Sequence, residues 1–321
     1  MDRRTRSVNA TLLTLFVIAA ASGGLAFTLG AAPLAPIVVA VHGASGFGLL
    51  VLVPAKARIA RRGLRRRGAS RKVTSWTLTV LVAAVIAGGL LHAVRGFVPV
   101  LGLLPMQIHV GAALAAAVLL AAHVLPHRHR RWPLVRRVDL DRRTALQAAT
   151  VAVGGAALWA VAPGRERRFT GSHQVAAPPV TQWLFDPVLA LDATTWRLRL
   201  PDRALDVAAL AALPQTTVRA VIDCTGGWWA EDEWRGVLLA DLGLPGSALD
   251  VVSATGYRRR LPGPAGVLLA THAAGAPLAD AHGGPARLVV PGRRGFWWVK
   301  WVVAIAPTDE PWWWQPPLPL Q

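Results

Sequence analysis

The first half of the chain is a series of long apolar runs, and the second half alternates. Four apolar segments come first, at roughly 11–31, 34–55, 74–94 and 103–125. Each is long enough to cross a ~30 Å hydrocarbon core as a helix. A fifth, 144–163 (TALQAATVAVGGAALWAVAP), is less apolar but also of spanning length. After residue 164 the runs shorten to WRLRL, VRAVIDC, LDVVSA, ARLVVP and WWVKWVVAIA, separated by Pro, Gly and Asp. Their alternation and β-branched content predict strands. DVAALAAL and GVLLADL predict short helices, and 164–182 a polar linker. The pattern therefore predicts an all-α transmembrane bundle over 1–143, a fifth span over 144–163 and an α+β, strand-rich domain over 164–321.

Charge orients these segments. The chain is 53% hydrophobic yet carries a formal net charge of +18. Residues 1–143 hold 20 of the 35 Lys and Arg, with only Asp2, Asp139 and Asp141 against them. The N-terminus and the loops after the second and fourth segments carry 19 of these, and the alternate connections carry only Arg95. By the positive-inside rule the N-terminus is cytoplasmic, and five crossings put 164–321 outside the cell membrane. The basic loops then contact anionic lipid headgroups rather than nucleic acid.

Arg142-Arg143 ahead of the fifth segment has two readings. It is either a twin-arginine export signal retained as an anchor, with Pro163 hindering cleavage, or two further orienting arginines.

Cys224 is the only cysteine in the chain. It cannot form an internal disulfide, so it is a buried small residue, a nucleophile or a metal ligand. No Ser/His/Asp set, zinc spacing or phosphate-cradling glycine loop stands out, and Glu231, Asp232 and Glu233 read as a solvated turn.

The surrounding residues carry a family resemblance. VIDCTGGWWAEDEWRGVLLADLG resembles the cysteine segment of the sulfite-oxidase-type molybdopterin oxidoreductases. There a strand delivers a cysteine, a small-residue turn follows, and a W-x-G-V element opens a helix. The matching residues are Cys224, Gly226, Gly227, Trp234, Gly236 and Val237. SATGYRRRLP resembles that family's glycine-tyrosine hairpin. LLATHAAGAPLADAHGGPARLVVPGRRGFWWVKWV resembles its ordered G-x-P-L, H-G-x-P-x-R-L-x-V-P and V-K-W series. The similarity covers roughly 170–310.

The resemblance implies a molybdenum–molybdopterin cofactor with Cys224 as the protein ligand, and a soft thiolate suits such a metal. It implies pterin-binding roles for Arg287 and Lys300, a cofactor hydrogen bond from His282, and Tyr257 at the substrate mouth. Ser172 and His173, in FTGSHQ, stand where larger relatives carry an R-x-N-H loop that grips the pterin. The chain lacks the dimerisation domain of sulfite oxidases proper, so sulfite is not implied as substrate.

His42, His92, His109 and His123 lie within or at the ends of the spans, where ionisable groups tend to be functional. VAVHGASGFGLLVLVPAK and MQIHVGAALAAAVLLAAH each carry an early histidine. Fourteen residues after His109 comes His123, and fourteen after His42 comes Lys56. Fourteen residues is about 21 Å of helix. This two-helix unit used twice resembles four-helix membrane cytochromes b, which implies a b-type haem at the outer level. His42 and His109 are the pair, His92 the alternative ligand, and Lys56 stands where an inner ligand would be. His127 and His129 read as solvated.

The sequence thus predicts a membrane-bound molybdopterin oxidoreductase. Oxygen-atom transfer on the outer face would be coupled to electron transfer with a quinone or redox partner, and the reductase direction is preferred for a small-molecule substrate. The alternative is a membrane receptor or scaffold that keeps the fold without redox chemistry. The tail DEPWWWQPPLPLQ has no assigned role; its three tryptophans suit either lipid headgroups or the domain itself.

Overall fold

A computed structural model describes residues 3–30, 33–64, 69–128, 142–161, 167–181, 188–244 and 248–316. The readings placed on the side chains of His123, His127, Arg142 and Arg143, and on His129 and Pro163, lie outside the described residues. The chain divides into two compact units. One comprises residues 1–26 and 32–173, the other residues 27–31 and 174–321.

The first unit is helical, with α1 (Arg3–Thr28), α2 (Leu34–Leu64), α3 (Ala69–Arg95), α4 (Pro105–Arg128) and α5 (Arg142–Val161). Among the described residues, four helices are long and apolar enough to cross a membrane. These are Ser7–Thr28, Leu34–Arg61, Lys72–Arg95 and Pro105–Ala122, of 22, 28, 24 and 18 residues. At 1.5 Å per residue the shortest of them reaches about 27 Å. Ala145–Val161 is a shorter apolar helix.

Burial agrees with a lipid solvent. Val17, Ile37, Val51, Val80, Val118 and Val153 are all exposed. A water-soluble bundle would have to cover such a surface. In lipid the exposed side chains stay apolar and each helix satisfies its own backbone. α2 packs on α5, and α3 on α4. Lys56 Nζ donates to Asn9 Oδ1 at 2.9 Å. Ser7 Oγ donates to Gln147 Oε1 at 3.0 Å.

The second unit is built on two sheets. In chain order the strands among the described residues are β1 (His173–Gln174), β2 (Leu198–Arg199), β3 (Ala204–Leu205), β4 (Thr216–Asp223), β5 (Trp228–Leu238), β6 (Leu249–Ser253), β7 (Arg258–Leu261), β8 (Leu268–Ala273), β9 (Ala276–Pro277), β10 (Arg287–Val289) and β11 (Val302–Pro307). The six-stranded sheet runs β1-β5-β8-β10, with β4 beside β5 and β9 beside β8. The five-stranded sheet runs β3-β2-β11-β6-β7. A short helix, α6 (Val207–Ala211), is capped by Asp206, whose side chain accepts from the Ala209 N–H.

The core follows from strand alternation. Trp228, Ala230, Trp234 and Gly236 share the inward side of β5. Trp234 meets Trp298 edge to face, 5.4 Å between centroids. Leu198, Leu249, Leu269 and Leu288 are fully buried around them. Each contributes about 1.5–3 kcal/mol by leaving water.

Three local expectations are corrected. Trp234, Gly236 and Val237 do not open a helix, because they lie inside β5. Only Leu239–Leu242 turns, as a 3-10 segment. Glu231, Asp232 and Glu233 are strand residues rather than a turn, paired with Val221, Ala220 and Arg219. Their charge is tolerated because this part of the β4–β5 hairpin is solvated. Residues 297–301 are not strand, since a 3-10 turn at Gly295–Trp297 precedes β11.

The tail from residue 311 is strapped to β7. Gln315 Oε1 accepts from the Arg260 N–H at 3.0 Å, and its Nε2 donates to Arg260 O at 2.8 Å. Trp313 and Trp314 remain exposed.

Candidate functional site

Cys224 directly follows β4, at the turn into β5. Its N–H donates to Trp228 O at 2.8 Å, and its carbonyl accepts from the Gly227 N–H at 3.1 Å. The Gly226 N–H donates to Sγ at 3.3 Å. Burial pushes the thiol above its ordinary range, opposed by the Gly226 N–H, Arg294 and Lys300. A metal ion bound to that sulfur would favour its ionised form further.

Arg287, His282 and Lys300 gather on one turn. Arg287 starts β10 and is 3% exposed. Its Nη1 donates to His282 O at 2.9 Å and its Nη2 to Trp298 O at 3.4 Å. The guanidinium lies over Trp234 and Trp298. Its Nε is buried with no hydrogen-bond partner among the described residues. Burial lowers its pKa to about 10, and the Cys224 thiol pulls the other way. Lys300 Nζ donates to Ala281 O at 2.9 Å, next to the carbonyl that Arg287 holds. His282 Nε2 donates to Pro178 O at 3.0 Å. Burial and Arg287 hold its imidazole below the ordinary range.

A buried guanidinium without a carboxylate is costly unless an anion joins it. Beside a lone thiol, that is the donor set expected of a site for an anionic, metal-bearing group. These residues therefore fit a molybdenum–pterin cofactor.

Tyr257 lies on the β6–β7 hairpin, and its hydroxyl donates to Phe296 O at 2.7 Å. That hydroxyl also accepts from Arg259 Nε at 2.7 Å. Ser172 and His173 belong to the helical unit. Ser172 is 1% exposed. His173 Nε2 donates to His92 O at 2.8 Å, and the two rings meet edge to face at 4.9 Å. His92 Nε2 donates to Gly171 O at 3.3 Å.

His42 and His109 form the other pair in the helical unit, with ring centroids 5.7 Å apart. Their settings repeat. His42 Nδ1 donates to Ala19 O at 2.9 Å, and His109 Nδ1 to Val85 O at 2.7 Å. Four residues further along each neighbouring helix is a glycine that makes room for the ring. A Cβ at Gly23 would stand 2.9 Å from His42 Cε1, and one at Gly89 3.0 Å from His109 Nδ1. A carbonyl can only accept, so each Nδ1 carries the proton and Nε2 keeps its lone pair. Fixing a metal-binding tautomer in this way is a common second-layer device. The pair thus leaves two metal-competent imidazole nitrogens on neighbouring rings.

Sequence reasoning missed Asp223 and Arg294. Arg294 Nη1 donates to Asp223 Oδ1 in a buried ion pair. Arg294 Nη2 donates to Cys224 O at 3.3 Å. Seventy-one residues separate the pair. The available signal was a charged residue beside the cysteine at the end of an otherwise apolar run, VRAVIDC.

Residues 186–314 match the family model described as the oxidoreductase molybdopterin binding domain. The match lies within the second unit and includes Cys224, Arg287 and Lys300. The chain is also similar to the sulfane dehydrogenase SoxCD from Paracoccus pantotrophus, in its crystal structure. The identity there is 29%, over 38% of this chain and 40% of that one, with a TM-score of 0.36. The chain thus spans less than half the length of that relative. No curated protein matches the chain.

Proposed function

We propose that the whole chain is a multi-pass cell-membrane oxidoreductase, with its N-terminus cytoplasmic and its molybdopterin domain outside. Cys224 holds molybdenum through Sγ. Arg287 and Lys300 neutralise the pterin's anionic end, and His282 contributes a hydrogen bond. His42 and His109 hold one b-type haem. When bound, the molybdenum–pterin group supplies two-electron oxygen-atom transfer, and the haem supplies one-electron transfer. The protein's part is to bind, orient and tune. The Gly226 N–H holds the sulfur, and the ring wall of Trp234 and Trp298 keeps water from the Arg287 guanidinium. Tyr257 faces a small-molecule substrate that is reduced, and electrons come from a quinone or redox partner. Apolar helices that expose their side chains support the membrane setting, and the basic loops support the orientation.

One observation carries the reading: a lone thiol beside a buried guanidinium that has no carboxylate among the described residues. A receptor or scaffold would gain nothing from that arrangement. The test is substitution of the ligand. Cys224→Ser in the full chain should keep the fold and abolish oxidoreductase turnover, and unchanged turnover would refute the ligand role.

A further inference from the structure

The residues around Cys224 include one ion pair that the cofactor reading does not use. Asp223 and Arg294 are 3% and 4% exposed, so both charges are taken out of water. The pair joins the residue just before the cysteine to a turn far along the chain, and a parallel bridge links the two backbones. The turn sits tightly on the cysteine, since a Cβ at Gly295 would lie 3.2 Å from Cys224 Cα. Arg294 spends a second donor on the Cys224 carbonyl.

A buried pair of this kind is weak evidence for stability, because desolvation offsets most of the attraction. Its placement is more informative. One charge of each sign is fixed at the residue that carries the sulfur. Arg294 brings a positive charge onto the Cys224 carbonyl, and Asp223 fixes a negative charge on the preceding residue. Lys300 and Arg287 are tied to the carbonyls of Ala281 and His282. Arg294 hydrogen-bonds the cysteine residue itself.

We propose that Arg294, anchored by Asp223, is a positioning residue for the Cys224 ligand, and that the two opposed charges set how strongly its sulfur donates to the metal. This rests on Cys224 being the molybdenum ligand. A cation near a thiolate draws its electron density away from the metal. Weaker donation favours the reduced metal and raises the midpoint potential. Asp223 attenuates that effect. The two residues therefore act with opposite signs, which a scaffold pair would not do.

The experiment is a redox titration of the full, cofactor-loaded chain in detergent, reading the Mo(V) resonance. Arg294→Gln is expected to shift the midpoint down and Asp223→Asn to shift it up, with Arg294→Lys close to wild type. Shifts of the same sign, or no shift in variants that retain molybdenum, would overturn the proposal. Arg294→Gln leaves a buried carboxylate uncompensated and is the variant most exposed to misfolding. If it does not fold, Asp223→Asn decides, because only an upward shift is allowed. Loss of molybdenum from folded Asp223→Asn also overturns it, since Asp223 is given an attenuating charge and nothing more. Wild-type protein that never binds molybdenum instead refutes the ligand reading beneath it.

Discussion

His42 and His109 meet edge to face, 5.7 Å between ring centroids, each held by Nδ1 to a carbonyl of the adjacent helix. The carbonyls belong to Ala19 and Val85, and the glycines that admit the rings are Gly23 and Gly89. Two helix pairs thus present the same three-part device. If it ligates haem, His42→Ala and His109→Ala should each abolish the α band of the reduced-minus-oxidised spectrum. His92→Ala should leave it, because His92 is engaged with His173 and Gly171. An α band that survives both substitutions in the first pair would refute this assignment.

Arg287 predicts opposite effects on stability and on loading. Its guanidinium is buried without a carboxylate among the described residues. Burying a charge without a counter-ion is costly, and removing it relieves that cost against the loss of its two hydrogen bonds to carbonyls. Arg287→Met should hold or raise the thermal midpoint of cofactor-free protein and reduce molybdenum retained after purification. A fall in both would make Arg287 a scaffold residue.

His282 gives the second unit a dependence on acid. Burial and Arg287 depress its folded pKa below the ordinary 6.5. Folding therefore favours the neutral ring, whose Nε2–H meets Pro178 O. That contribution is complete above pH 6.5 and is lost as pH falls through the depressed value. Limited proteolysis near Pro178 should speed up as pH falls from 7.5 to 5, and His282→Asn should flatten the dependence. Equal pH dependence in the variant would show that other groups govern the segment.

Much of this architecture could be read from local pattern. Apolar runs longer than the bilayer is thick have few alternatives to membrane-crossing helices. A cysteine at a strand end before two glycines marks a turn, and the β4–β5 hairpin forms there. Long-range pairing was not legible. Asp223 and Arg294 meet only because the Gly295 turn folds back on Cys224, and neither residue type signals that at a distance. The charges at 231–233 argued for a turn because burial was assumed for strands, whereas β5 extends beyond its buried stretch. His173 was grouped with the outer domain by composition, yet the hairpin that carries it folds with the helices. There its Nε2 caps the His92 carbonyl near the end of α3.

The central claim is that Cys224 and the Arg287 turn hold a molybdenum–pterin group. Joint molybdenum and pterin analysis of the detergent-purified full chain, beside folded Cys224→Ser, tests it most directly. Stoichiometric molybdenum and pterin in the wild type, with molybdenum lost from the variant, is the expected result. Folded wild-type protein carrying neither, expressed where the cofactor is made, would contradict it.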